Sequence, residues 1–140
     1  MKPIALGAAH SRDFDTVPEQ SAHAVGNTGI DVVSSVTLIG FIEIACCEVI
    51  RPCIEAGEAS VGIGFAFTHL APARIGTRIT VTARLVAIDG RKFDFETEAL
   101  DGGRLLMTGT HRRAIIDLER FKADDAVRTP SLPSPLQGEE

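Results

Sequence analysis

From Val36 to Val49 the chain is almost without charge, and the exceptions are Glu43 and Glu48. The run is longer than a typical strand, and its two glutamates suit a helix, so a helix is expected over roughly Ser35 to Cys53. Ser34 and Ser35 precede it, and serine ahead of an apolar run is an N-cap signal. Ser35 is read as the cap. Arg51, Pro52 and Gly57 close the segment. Leu38, Phe41, Ile42, Ile44, Ala45 and Cys46 do not keep to one stripe, and with their neighbours they cover most of the circumference. A helix apolar nearly all round must be enclosed.

The chain beyond the helix reads as strand. Between Ser60 and Leu70 the bulky residues Val61, Ile63, Phe65 and Phe67 alternate with Gly62, Gly64, Ala66 and Thr68, a period of two that places one row on one face. Thr77 to Ile88 is rich in β-branched residues. Asp89-Gly90 and Asp101-Gly102-Gly103 are hairpin signals. They flank Lys92 to Leu100, where Phe93, Phe95, Thr97 and Ala99 alternate with charged residues. Arg104 to Leu118 is a long last strand. Before the helix, Ala9 to Val17 forms a short strand ended by Pro18, and Glu19 to Ile30 is a loop or short helical lid. The expected class is α+β: a long central helix wrapped by a curved antiparallel sheet. One face of such a domain stays uncovered, which favours pairing with a second copy.

The 140 residues suit one domain over 1–121, with a tail from 122 to 140 whose prolines and serines suit disorder. A net charge of −5 argues against a general nucleic-acid partner, which would need a basic face. Cys46, Cys47 and Cys53 lie together in the apolar segment without framework or zinc-ligand spacing, so reduced thiols and no metal are expected. Met1-Lys2-Pro3-Ile4 lacks an apolar signal-peptide core, and the apolar run is too short to span a bilayer. The expected location is the cytoplasm, without membrane association.

Several residues lack a simple packing role. Glu43 has Ile39, Gly40, Cys46 and Cys47 as helical neighbours, none able to neutralise a carboxylate, and carboxylates are rarely buried unpaired. The plain alternative is a gap through which it reaches water. Glu48 has Arg51 three residues on, a normal exposed pair. His69 shares parity with the bulky row, and an imidazole aimed with a carboxylate into one apolar pocket can activate water or a nucleophile. Ser35 sits at a helix N-terminus, where a hydroxyl and backbone N–H groups can hold a carbonyl oxygen. It stands about 12 Å from Glu43 along a helix, so either substrate lies between them or two subunits share the site. Gly62 and Gly64 mark close approach by a ligand or by the helix itself. Arg113 on a partly inward face wants an anion or a cross-strand carboxylate. His10 and His23 support no role.

Ser35-Val36-Thr37-Leu38-Ile39-Gly40-Phe41-Ile42-Glu43-Ile44-Ala45-Cys46 resembles the central helix of hotdog-fold thioesterases, and more narrowly that of the fluoroacetyl-CoA thioesterase group. Gly57 to Gly62, Thr68-His69, Gly109 to Ala114 and Leu118 to Phe121 match the same group in order and spacing. The resemblance implies a hotdog domain, a homodimer, and hydrolysis of an acyl-CoA thioester with no cofactor beyond the substrate's own coenzyme A. It puts the group's catalytic hydroxyl on Ser35, its carboxylate on Glu43 and its histidine on His69. Gly62 and Arg113 take its substrate-binding positions. Glu43 would attack the carbonyl or activate a water. Ser35, the helix N-terminus or the Gly62 N–H would hold the oxyanion, and His69 would orient the attacking group or protonate the thiolate. Two departures point to a general small-acyl thioesterase: serine replaces the group's threonine, and Asn27 to Ile30 lacks its lid phenylalanine. The same fold also serves non-hydrolytic acyl-CoA binders and hydratases, and a dimeric scaffold is a third option.

Overall fold

Gly90 (φ 61°) and Gly102 (φ 58°) take the left-handed backbone that tight hairpin turns require. They join three long strands, β3 (Ile79–Asp89), β4 (Lys92–Asp101) and β5 (Arg104–Asp117), into a meander. Two edge strands complete it: β1 (Ala9–Phe14) beside β3 and β2 (Glu58–His69) beside β5. The order is β1-β3-β4-β5-β2, antiparallel throughout. This computed structural model describes residues 1–126.

Helix α1 (Ser35–Ile50) crosses one face of the sheet and touches all five strands. Leu38, Ile42, Ala45, Cys46 and Ile50 are wholly buried against Ile79, Val81, Leu85, Phe93, Phe95 and Leu106. Each large apolar side chain removed from water in this way contributes about 1.5–3 kcal/mol. Phe41 stacks on Phe14 with ring centroids 4.2 Å apart, which fastens β1 to the helix. This is the hotdog arrangement expected of the sequence.

The enclosure is incomplete, contrary to the all-round burial read from composition. Val36 is 68% exposed and Ile44 41%, because the sheet curls over only part of the circumference. The helix also stops at Ile50, and Arg51–Cys53 forms a separate 3-10 turn. Pro18 opens a short 3-10 turn, Pro18–Gln20, and β1 ends earlier, at Phe14. After β5 the chain forms α2 (Leu118–Ala126), which takes in residues 122–126 of the expected tail. The rest of that tail lies outside the described residues. Among the described residues no helix is long and apolar enough to cross a membrane.

One irregularity in β2 governs the site. Gly62 pairs with Arg113 but Gly64 pairs with Arg112, so Ile63 is an extra residue, a β-bulge. A bulge moves the side chains beyond it to the opposite face. Ser60 and Gly62 therefore share the helix-facing side with Phe65, Phe67 and His69. Val61 does not, and the single bulky row inferred from parity is split at the bulge.

Candidate functional site

The first cluster forms at the N-terminus of α1. Ser34, not Ser35, is the N-cap: its Oγ accepts the Thr37 N–H at 3.1 Å and donates to Thr37 Oγ1 at 2.8 Å. That corrects the cap assignment and leaves the Ser35 hydroxyl uncommitted to the backbone. Ser35 Oγ instead lies 2.7 Å from His69 Nδ1, across from the end of β2. The pair opens onto a cavity of about 330 Å³ lined by Val25, Asn27, Ile30, Val36 and neighbouring residues.

The second cluster forms two helical turns further on. Glu43 is neither deeply buried nor unpaired. Its side chain is 42% exposed, and its Oε2 accepts from Arg113 Nη1 at 3.3 Å. Both the gap to water and the charge partner are therefore real, and the partner comes from β5 rather than from the helix. Arg113 is 5% exposed, and its fork is used in full. Nε donates to Ser60 Oγ at 3.1 Å and Nη2 to the Ser60 carbonyl at 3.0 Å. Nη1 also reaches His111 Nε2 at 3.2 Å. The cross-strand carboxylate expected for Arg113 is not found: its partners across the sheet are Gly62 and Phe93, and its carboxylate comes from the helix.

His111 has no place among the site residues expected from the sequence, although it shares the parity of Arg113 on β5. It is buried, packed against the Phe65 ring with centroids 4.5 Å apart and planes tilted by 33°, and its Nδ1 lies 2.8 Å from the Gly64 carbonyl. Nδ1 therefore carries the proton and Nε2 is the acceptor for Arg113. Burial, with the Arg113 charge adding to it, holds this imidazole below the ordinary histidine range. The adjacent Cys46 thiol is pushed up to about 12, chiefly by burial, so it stays protonated.

Gly62 lies under the carboxylate. A Cβ there would stand 2.6 Å from Glu43 Oε2, 3.0 Å from the Phe65 ring and 3.1 Å from His111 Cε1. The glycine is thus required by close approach, with the helix-borne carboxylate as the neighbour. Gly64 is less constrained, with Arg112 Cβ at 3.3 Å. Glu48 does not pair with Arg51. It accepts from Arg12 Nη1 at 2.5 Å and stands 2.7 Å from His10 Nε2, which ties α1 to β1 and, mainly through Arg12, holds the carboxyl below its usual range. Among the described residues no three His, Cys, Asp or Glu side chains gather as a metal site.

Ser35 and Glu43 thus lie on the central helix, and His69, Gly62 and Arg113 on the strands β2 and β5. The family model described as fluoroacetyl-CoA-specific thioesterase matches residues 17–119. The chain belongs to that family. It is 37% identical over 101 residues to the fluoroacetyl-CoA thioesterase of Streptantibioticus cattleyicolor, covering 72% of this chain and 73% of that protein. A solved structure of the fluoroacetyl-CoA thioesterase FlK matches with a TM-score of 0.84 at 30% identity, over 92% of this chain and all of that one. A thioesterase superfamily member from Thermus thermophilus matches with a TM-score of 0.83 at 26% identity, covering 90% and 93%. By its family the protein is thus a thioester hydrolase.

Proposed function

We propose that this protein hydrolyses small acyl-CoA thioesters to the free acid and coenzyme A, with Glu43, His69 and Ser35 as its catalytic groups. The observation that carries the reading is the Glu43 carboxylate, part-solvated and poised over Gly62 at a distance where no Cβ fits. Arg113 orients that carboxylate, which attacks the thioester carbonyl or takes a proton from an attacking water. The N–H groups at the start of α1 offer donors to the developing oxyanion, while the Ser35 hydroxyl donates to His69 Nδ1. His69, held through Nδ1 by Ser35, presents Nε2 to orient the attacking group or to protonate the departing thiolate.

Ser35 and Glu43 stand about 12 Å apart along one helix, so one copy does not bring the two clusters to one carbonyl. A homodimer would. β2 is an edge strand whose Ile63 and Phe65 are about half exposed, and the uncovered helix residues Val36 and Ile44 lie open as well. Antiparallel pairing of two β2 edges with the two-fold between Phe65 and Ala66 would lay the His69 end of one strand beside the Gly62 region of the other. Ser35 and His69 of one copy then face Glu43 and Arg113 of its partner.

A thiol-release assay over short, branched, halogenated and aromatic acyl-CoAs tests the reading. Turnover of at least one short-chain substrate is expected. Tight acyl-CoA binding with no thiol released from any of them would overturn it in favour of a non-hydrolytic binder.

A further inference from the structure

His23, given no role by the sequence, makes a contact that shapes the cavity above Ser35. Its Nδ1 accepts the Gly29 N–H at 2.8 Å, across the loop between β1 and α1. Around that contact the His23 N–H donates to the Ile30 carbonyl at 2.7 Å and the Ala22 N–H to the Val32 carbonyl at 2.7 Å. Asn27 returns its N–H to the Ala22 carbonyl at 2.9 Å. Gly26 (φ 110°) and Gly29 (φ 84°) take backbone conformations that side chains disfavour, which lets the loop fold back on itself. The result is that Val25 and Ile30 line the same cavity as Ser35 and His69, together with Val36 of the helix. All three are about half exposed or more. Exposed aliphatic side chains gathered on the wall of a concave site mark a place for an apolar ligand group.

We infer that His23 is a positioning residue, holding Val25 and Ile30 as an apolar wall against which a short aliphatic acyl group packs. The inference rests on the thioesterase reading of the site and deepens it by naming the substrate class: straight or branched aliphatic acyl thioesters larger than acetyl. The imidazole touches no substrate. It acts through the Gly29 N–H, and the loop backbone transmits its position to the wall.

The test compares acetyl-, butyryl- and isovaleryl-CoA by kcat/KM and, on the same proteins, by Kd. Each added methylene that reaches the wall is worth about fourfold in wild type. His23→Ala is expected to lose about tenfold in kcat/KM for butyryl- and isovaleryl-CoA, mostly through KM, while acetyl-CoA stays within about twofold. His23→Asn, whose Oδ1 takes the place of Nδ1 as acceptor, is expected to restore the longer substrates. Ile30→Ala removes the wall directly and is expected to reproduce the same chain-length-selective loss, whatever the folding behaviour of the His23 variants. Equal losses on all three substrates would overturn the inference, since the loop would then meet the pantetheine arm or serve folding alone. Unchanged selectivity in Ile30→Ala would overturn it as well. Should wild type release no thiol from any of the three, the Kd ratios alone decide whether the wall reads the acyl group, and the wider acyl-CoA panel decides the thioesterase reading.

Discussion

A methyl group on Gly62 would stand 2.6 Å from Glu43 Oε2, so the bulged strand and the helix carboxylate are fitted to one another. Gly62→Ala is therefore expected to displace Glu43 and the rings of Phe65 and His111 together. Overpacking of this kind costs about 1–3 kcal/mol, and a carboxylate moved by about 1 Å costs about 10²-fold in kcat. Gly64→Ala, whose nearest neighbour is Arg112 Cβ at 3.3 Å, is expected to keep kcat within about threefold. Steady-state kinetics on both variants check this, and similar losses at the two glycines would disprove the close-approach argument.

The two clusters on α1 make a prediction about subunit composition. Glu43→Gln keeps the shape and an acceptor for Arg113 but removes the base, so it is expected to stay folded and to lose about 10²–10⁴-fold in kcat. His69→Ala is expected to be similarly impaired. If the site takes Ser35 and His69 from one copy and Glu43 from the other, co-expressing the two inactive chains restores about one quarter of wild-type activity. Half of the dimers then carry one intact site out of two. A mixture as inactive as its parents would place the whole site within one chain.

Those clusters also show where the sequence was and was not legible. The helix and the two hairpins followed from local signals: an apolar run too long for a strand, and Asp-Gly steps that take positive φ. The site depended on contacts between distant residues. Arg113 is seventy positions from Glu43, and nothing local to the helix announces the pair. Ile63 differs from its neighbours in no property that marks it as the extra residue, yet it decides which side chains of β2 face the helix. Ser34 and Ser35 are chemically the same, and only the extended backbone at Ser34 (φ −69°, ψ 151°) selects the cap and frees the other hydroxyl. His111 was within reach, because it shares a face with Arg113, but its partner is a backbone carbonyl that the bulge presents.

Arg113 is expected to matter for folding as much as for chemistry. It satisfies the Ser60 carbonyl and hydroxyl, His111 Nε2 and the Glu43 carboxylate at once. Arg113→Met removes the charge and leaves buried acceptors unpaired, at about 1–3 kcal/mol for each group. Arg113→Lys keeps the charge but not the planar fork, and a single ammonium does not span these partners. Both variants are expected to be destabilised, Met by about 2–5 kcal/mol and Lys by less. Urea unfolding measures this directly, and a lysine variant as stable as wild type would show that the fork geometry is unimportant.

His111 should make stability depend on pH in a defined window. Burial and the Arg113 charge depress its folded-state pKa below the ordinary histidine value, which is about 6.5 in the unfolded chain. As pH falls through that value the unfolded chain takes up a proton that the folded protein refuses, so stability rises with pH across the window and is lost on acidification. The loss begins near pH 7 and grows to at most about 1.4 kcal/mol per pH unit until the folded-state pKa is passed. Every other titratable group, including His10, His23 and His69, is shared by wild type and variant, so a difference curve isolates the effect. In His111→Asn, whose amide can still donate to the Gly64 carbonyl, no proton is gained on unfolding. Its unfolding free energy between pH 7 and pH 5.5 is expected to fall less steeply than that of wild type. Parallel curves for the two proteins would mean that the buried imidazole is not what resists the proton.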